Sequence, residues 1–137
     1  QGSTFLFHGM LQPILVQDST TVTLRGIAID YGIPHHSQGV ITTVGPDSYE
    51  ISVDPAKYPH EIRDGWFVFK GEGWEDRDQG MGIVFDGKTR SIVAGTGDFG
   101  YKGRLTEAGP GRYRVGKDLG KSGIKPGDQL EKGDDAQ

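Results

Sequence analysis

Residues 13–34 read P-I-L-V-Q-D-S-T-T-V-T-L-R-G-I-A-I-D-Y-G-I-P. Apolar side chains recur at Val16, Val22, Leu24, Ile27 and Ile29, alternating within each short run, and the small polar residues 18–21 turn the chain between runs. This is the pattern of one coil of a right-handed parallel β-helix. Such a coil has roughly 20 to 30 residues, buries its inward side chains only by stacking on neighbours, and needs at least about three coils for stability. Phe5 to Phe7, ending at His8-Gly9, reads as the tail of a preceding coil, and Gly26 as a bend between two faces. A single coil is therefore expected to belong to something larger, with its further coils outside these 137 residues.

Working outward, the character of the chain changes after Gly32-Ile33-Pro34. Residues 38–44 and 49–53 are β-rich runs around Gly45-Pro46-Asp47-Ser48, and Tyr49, Ile51 and Val53 alternate with Glu50 and Ser52, so one face is buried and one wet. Asp54-Pro55 is placed to start a short helical turn that Pro59 stops. Trp66-Phe67-Val68-Phe69 is apolar on both faces and predicts a central strand. Residues 71–82 are expected to form the longest polar loop. Further hairpins are expected around Asp86-Gly87-Lys88 and Ala108-Gly109-Pro110-Gly111, and a closing strand after Lys125-Pro126-Gly127-Asp128. Six to eight short strands built from hairpins favour a small antiparallel barrel, because closure removes exposed edges. The expected class is all-β, divided into a β-helix-like coil over 1–34, an antiparallel barrel over 35–131 and a disordered tail over 132–137.

Composition agrees. Twenty-three glycines and seven prolines exceed a fifth of the chain and disfavour long helices. The net charge of −4 is spread without a basic block, which argues against a nucleic-acid partner. The chain has no cysteine, so thiolate metal sites and disulfides are excluded, and no apolar run approaches the roughly 18 residues of a membrane helix. The opening Gln-Gly-Ser-Thr-Phe lacks signal-peptide character and reads as a processing boundary.

The coil V-Q-D-S-T-T-V-T-L-R-G-I-A-I-D-Y followed by I-P-H-H-S-Q-G-V-I resembles the N-terminal region of the family 110 glycoside hydrolases, with Ile29-Asp30-Tyr31 and Pro34 through Ser37-Gln38-Gly39 as the best points. Beyond Gly45 the likeness rests on hairpins and on residues 125–128. The resemblance implies an α-1,3-galactosidase acting on terminal α-linked galactose, a parallel β-helix interrupted by β-barrel domains, and a secreted or periplasmic location. It further implies inverting hydrolysis by aspartates on coils that follow the barrel. Those coils are absent here, so no catalytic residue is carried over and the chain alone is expected to be inactive. The partners implied are the rest of the parent enzyme and galactose-containing glycans, with no nucleic acid, no membrane and no cofactor.

Inverting hydrolysis needs two carboxyl groups roughly 6.5 to 9.5 Å apart, one held protonated. The only close acidic cluster is Glu72, Glu75, Asp76 and Asp78, where nothing local raises a pKa, so a solvated loop is the plainer reading. Adjacent His35 and His36 on an extended segment face opposite ways and do not share an ion, Ser37 lacks the setting of a nucleophile, and Asp98 in its glycine-rich loop lacks a phosphate-loop context. Trp66 reads as core. Trp74, with glycines at 71 and 73, reads as a sugar platform or as a lid over the barrel's end. The candidate carbohydrate-binding residues are Trp74, Asp76 and Asp30, the last at a strand end where ligand-facing residues often sit. The competing reading from another class is a freestanding carbohydrate-binding barrel.

Overall fold

The computed structural model describes residues 2–77, 82–96, 104–116 and 123–133. Every regular element among them is a strand: β1 Ser3–Phe7, β2 Ile27–Tyr31, β3 His36–Val44, β4 Ser48–Val53, β5 His60–Arg63, β6 Trp66–Gly71, β7 Trp74–Arg77, β8 Ile83–Phe85, β9 Thr106–Gly109, β10 Arg112–Gly116 and β11 Gln129–Gly133. They form a parallel pair β1-β2, a six-stranded antiparallel sheet ordered β8-β11-β3-β4-β10-β9 and a three-stranded antiparallel sheet β5-β6-β7.

The two antiparallel sheets share one core. Ile41, Tyr49, Ile51, Val53, Tyr113, Val115 and Leu130 come from the larger sheet, Phe67 and Phe69 from the smaller. The alternation expected of residues 49–53 is what puts Tyr49, Ile51 and Val53 inward. Phe67 spans the sheets, edge-on to Tyr113 with ring centroids 4.8 Å apart. On one flank the Leu105 amide donates to the Gly65 carbonyl, tying the approach to β9 onto the β5-β6 turn. A polar seam crosses the core edge. The Tyr58 hydroxyl donates to Gln38 Oε1 at 3.0 Å, which also accepts from Gln129 Nε2 at 2.7 Å. His60 Nδ1 faces the Tyr58 carbonyl at 2.6 Å and Nε2 faces the Tyr113 hydroxyl at 2.6 Å. A carbonyl only accepts, so Nδ1 carries the proton and, in the neutral ring, Nε2 accepts from Tyr113.

Some expectations hold in the structure and others change. The coil read over 13–34 yields one strand, β2, in register with β1 from Ser3↔Ile27 to Phe7↔Tyr31, while Val16, Val22 and Leu24 lie outside any strand. The bend at Gly26 is present, at φ +69, just before β2. The stretch expected to be a polar loop contains a strand: residues 74–77 form β7, because backbone pairing to β6 (Lys70↔Glu75, Phe69↔Asp76) supplies what side-chain periodicity lacks. The single turn expected after Asp54 is present: the Asp54 carboxylate accepts from the Ala56 amide, the Tyr58 amide donates to the Asp54 carbonyl at 2.9 Å, and after Pro59 the chain enters β5. The hairpin at Asp86 has only the bridge Phe85↔Ile92, since the Asp86 carboxylate accepts from the Lys88 and Thr89 amides and widens the turn. Residues 132 and 133, expected in the tail, pair with Ser37 and His36 as the end of β11. Asp78 and Asp98 lie outside the described residues.

Candidate functional site: the junction of the parallel pair and the barrel

The N-terminal segment meets the barrel around Trp74. Gly73, at φ +77, lets β6 reverse into β7, and Gly71 has no Cβ to collide with the indole that lies over it. Trp74 is half-buried against the edge of the core, and its Nε1 is buried without a hydrogen-bond partner. The ring is part of a chain of contacts running from β1 into the barrel. Phe7 is 6.1 Å from Tyr31, Tyr31 is 4.5 Å from His35, and His35 stands edge-on to Trp74 at 5.4 Å. Polar contacts pin the same boundary. His35 Nε2 is 3.0 Å from the Gly9 carbonyl and so donates to it, and His8 Nδ1 lies 2.5 Å from Glu72 Oε2. Trp74 thus sits in a packed seam, with His35 on its edge and Gly71 beneath its ring.

Asp30 lies at the far side of this seam. Its Oδ1 accepts from the Tyr31 amide at 2.8 Å, which fixes the carboxylate, and the side chain is exposed on a groove of about 520 Å³ between β2 and the residues 56–59. Ile33, Pro34, His36 and Pro59 line both that groove and a tight cleft that Trp74 also lines. Asp30 and Trp74 therefore flank one wall. Asp76 lies opposite Phe69 on β7 and lines neither space. The adjacent histidines diverge: His35 reaches Tyr31 and Trp74, and His36 faces Tyr58 and the groove.

Of the acids expected in the loop, Glu75 is held by a cation, which it shares with Glu61 on β5. Arg63 bonds Glu75 at 2.7 Å and Glu61 at 2.6 Å, and Lys70 bonds Glu61 at 2.5 Å. The Lys70 ammonium, then Arg63, pulls the Glu61 carboxyl below its ordinary value, Arg63 does the same to Glu75, and the two carboxylates, Glu75 first, push Arg63 up. A general acid needs the opposite shift. These pairs are exposed and solvent-screened, so their part in stability is small. They order the outer face of the smaller sheet over the buried Val68.

Asp30 and Trp74 were candidates on the sequence, whereas other residues that line the groove were not. Tyr31, His36 and Lys57 reach the groove because β2, β3 and the turn after β4 converge, which no local pattern announces.

Comparison with known proteins now becomes informative. Residues 37–130 match the family model described as GLAA-B beta-barrel domain I. The chain is 39% identical over 131 residues to an alpha-1,3-galactosidase B of Akkermansia muciniphila, covering 94% of this chain and 16% of that protein. It is 40% identical over 113 residues to an alpha-1,3-galactosidase B of Parabacteroides distasonis, covering 80% of this chain and 18% of the relative. To an alpha-1,3-galactosidase A of Shewanella woodyi it is 34% identical over 77 residues, 56% of this chain and 13% of that one. The chain thus spans less than a fifth of the length of these relatives. The resemblance to family 110 enzymes, first carried by residues 5–45, extends over most of the chain.

Proposed function

The chain belongs to the GLAA-B beta-barrel domain I family, and on that footing we propose that it is a non-catalytic β-barrel unit of a secreted or periplasmic glycoside hydrolase acting on terminal α-linked galactose. In this reading β1 and β2 are rungs of a parallel β-helix whose other coils come from the rest of the parent enzyme. One observation carries it. The barrel encloses Ile41, Tyr49, Ile51, Val53, Phe67, Phe69 and Leu130 and leaves Val40, Ile83 and Ile92 exposed one by one, whereas Leu6, Leu15, Val16, Val22, Leu24 and Ile29, gathered in the N-terminal segment, are all exposed, Leu15 by 68%. An apolar surface gathered over one segment marks a face that another element covers, and β-helix rungs are covered by the next rung.

The test is galactose release from a terminal α-1,3-linked galactoside by this chain, run beside amide hydrogen exchange. The expected result is no turnover, with the amides of β1 and β2 opening before those of β3, β4 and β10. Enzymatic release of galactose overturns the non-catalytic assignment; equal protection of β1-β2 and the barrel in a monomer overturns the β-helix one. A second reading, a freestanding carbohydrate-binding barrel, draws on the groove beside Asp30.

A further inference from the structure

We propose that the groove beside Asp30 is a binding subsite for one or two residues of a neutral, hydroxyl-rich sugar. The reading deepens the function given above and rests on it only for the choice of galactose. Four features of the groove define the ligand. Its volume, about 520 Å³, falls within the roughly 300 to 1,000 Å³ of small-molecule sites, and it lies where two structural units meet, a favoured place for them. Its apolar lining, from Ile33, Pro34 and Pro59, suits the C–H face of a pyranose. Its polar groups are of mixed kind: the Asp30 carboxylate accepts, the Lys57 ammonium donates, and the His36 imidazole does either.

The fourth feature is preorganisation. The Tyr31 amide holds one Asp30 oxygen, leaving the other without a partner among the described residues, and Lys57 Nζ is stationed 5.0 Å from the Tyr58 ring centroid. Charge decides the class. A phosphate or carboxylate ligand meets Asp30, a cationic one meets Lys57, and a neutral polyol satisfies both without repulsion. Trp74 shares a tight cleft with Ile33, Pro34 and His36, which also line the groove.

The experiment is an amide-detected NMR titration of the chain with methyl α-galactoside and, in parallel, methyl α-glucoside. Saturable shifts are expected at residues 30–36 and 56–59, with a dissociation constant on the order of millimolar, and both Asp30→Ala and Lys57→Ala should weaken binding at least about tenfold while leaving the β3, β4 and β10 resonances in place. No saturable shift with either glycoside, or shifts confined to β7, overturns the subsite. Glucoside binding in the groove without galactoside binding keeps the subsite and overturns the galactose reading. Shifts that survive both substitutions unchanged also overturn it, since the named side chains then do not hold the ligand.

Discussion

The hydroxyl of Tyr113, on the larger sheet, lies 2.6 Å from His60 Nε2, on the smaller, so that one hydrogen bond joins the two sheets within the core. Burial, and secondarily the charge of Glu107, pushes the phenol above its ordinary value. The unfolded phenol ionises near its ordinary value of about 10, whereas the folded one keeps its proton beyond that. The stabilising contribution is therefore complete below about pH 10 and lost as pH rises through the folded value. Melting temperature measured from pH 8 to 11 should fall over the upper part of this range, and fall less in Tyr113→Phe. At neutral pH the same variant should cost about 1 to 3 kcal/mol, because it leaves His60 without its donor.

Asp86 controls acid stability in the opposite sense. Its Oδ2 accepts from Lys125 Nζ at 2.5 Å and its Oδ1 from the Thr89 and Lys88 amides at 2.9 Å, and these contacts, Lys125 first, hold the carboxyl well below the usual carboxylate range. A depressed folded value gives stability that is present above the unfolded value of about 4 and disappears as pH falls through the folded one. Asp86→Asn should lower the melting temperature at pH 7 and flatten its decline between pH 4 and pH 2. An unchanged acid limb would remove Asp86 from the account.

Truncations on the two sides of the junction should differ sharply. Ile41 is fully enclosed, and Ile41→Ala should cost about 2 to 5 kcal/mol in urea denaturation. Leu24 is 56% exposed, and Leu24→Ala should stay within about 0.5 kcal/mol in the same chain. A large loss at Leu24 would mean that its side chain is already covered.

Gly71 is the floor on which Trp74 rests. Gly71→Ala forces the indole aside and should cost about 1 to 3 kcal/mol. In a Trp66→Phe background, where Trp74 is the sole indole, the displacement should shift fluorescence emission to the red. Unshifted emission would place the ring elsewhere.

What the sequence disclosed follows from where each element's partners lie. The β3-β4 hairpin was legible because Tyr49, Ile51 and Val53 alternate around a Gly-Pro-Asp-Ser turn, all within reach of local pattern. The centre of the smaller sheet was legible because Trp66 to Phe69 is apolar on both faces. Its two edges were not. His60–Arg63 and Trp74–Arg77 carry mostly polar and charged side chains whose partners lie on other strands as well as their own: Arg63 on β5 bonds Glu75 on β7 across the intervening strand, and Glu61 bonds Lys70 on β6. Such strands are specified by tertiary pairing, which outweighs local propensity. The candidate site divides in the same way. Asp30 was visible as a strand end, but Lys57 and His36 meet it only through the fold.

The pairing of β3 with β11, in register from His36↔Gly133 to Val40↔Gln129, has one more consequence. The barrel starts and finishes at a single place on its own surface, so its sequence is nearly a ring. Joining those two ends and reopening the chain at the Gly45–Ser48 turn yields a circular permutant that retains every strand neighbour. The order in which the strands leave the ribosome is then incidental to the architecture, and the information that builds it resides in which edges meet.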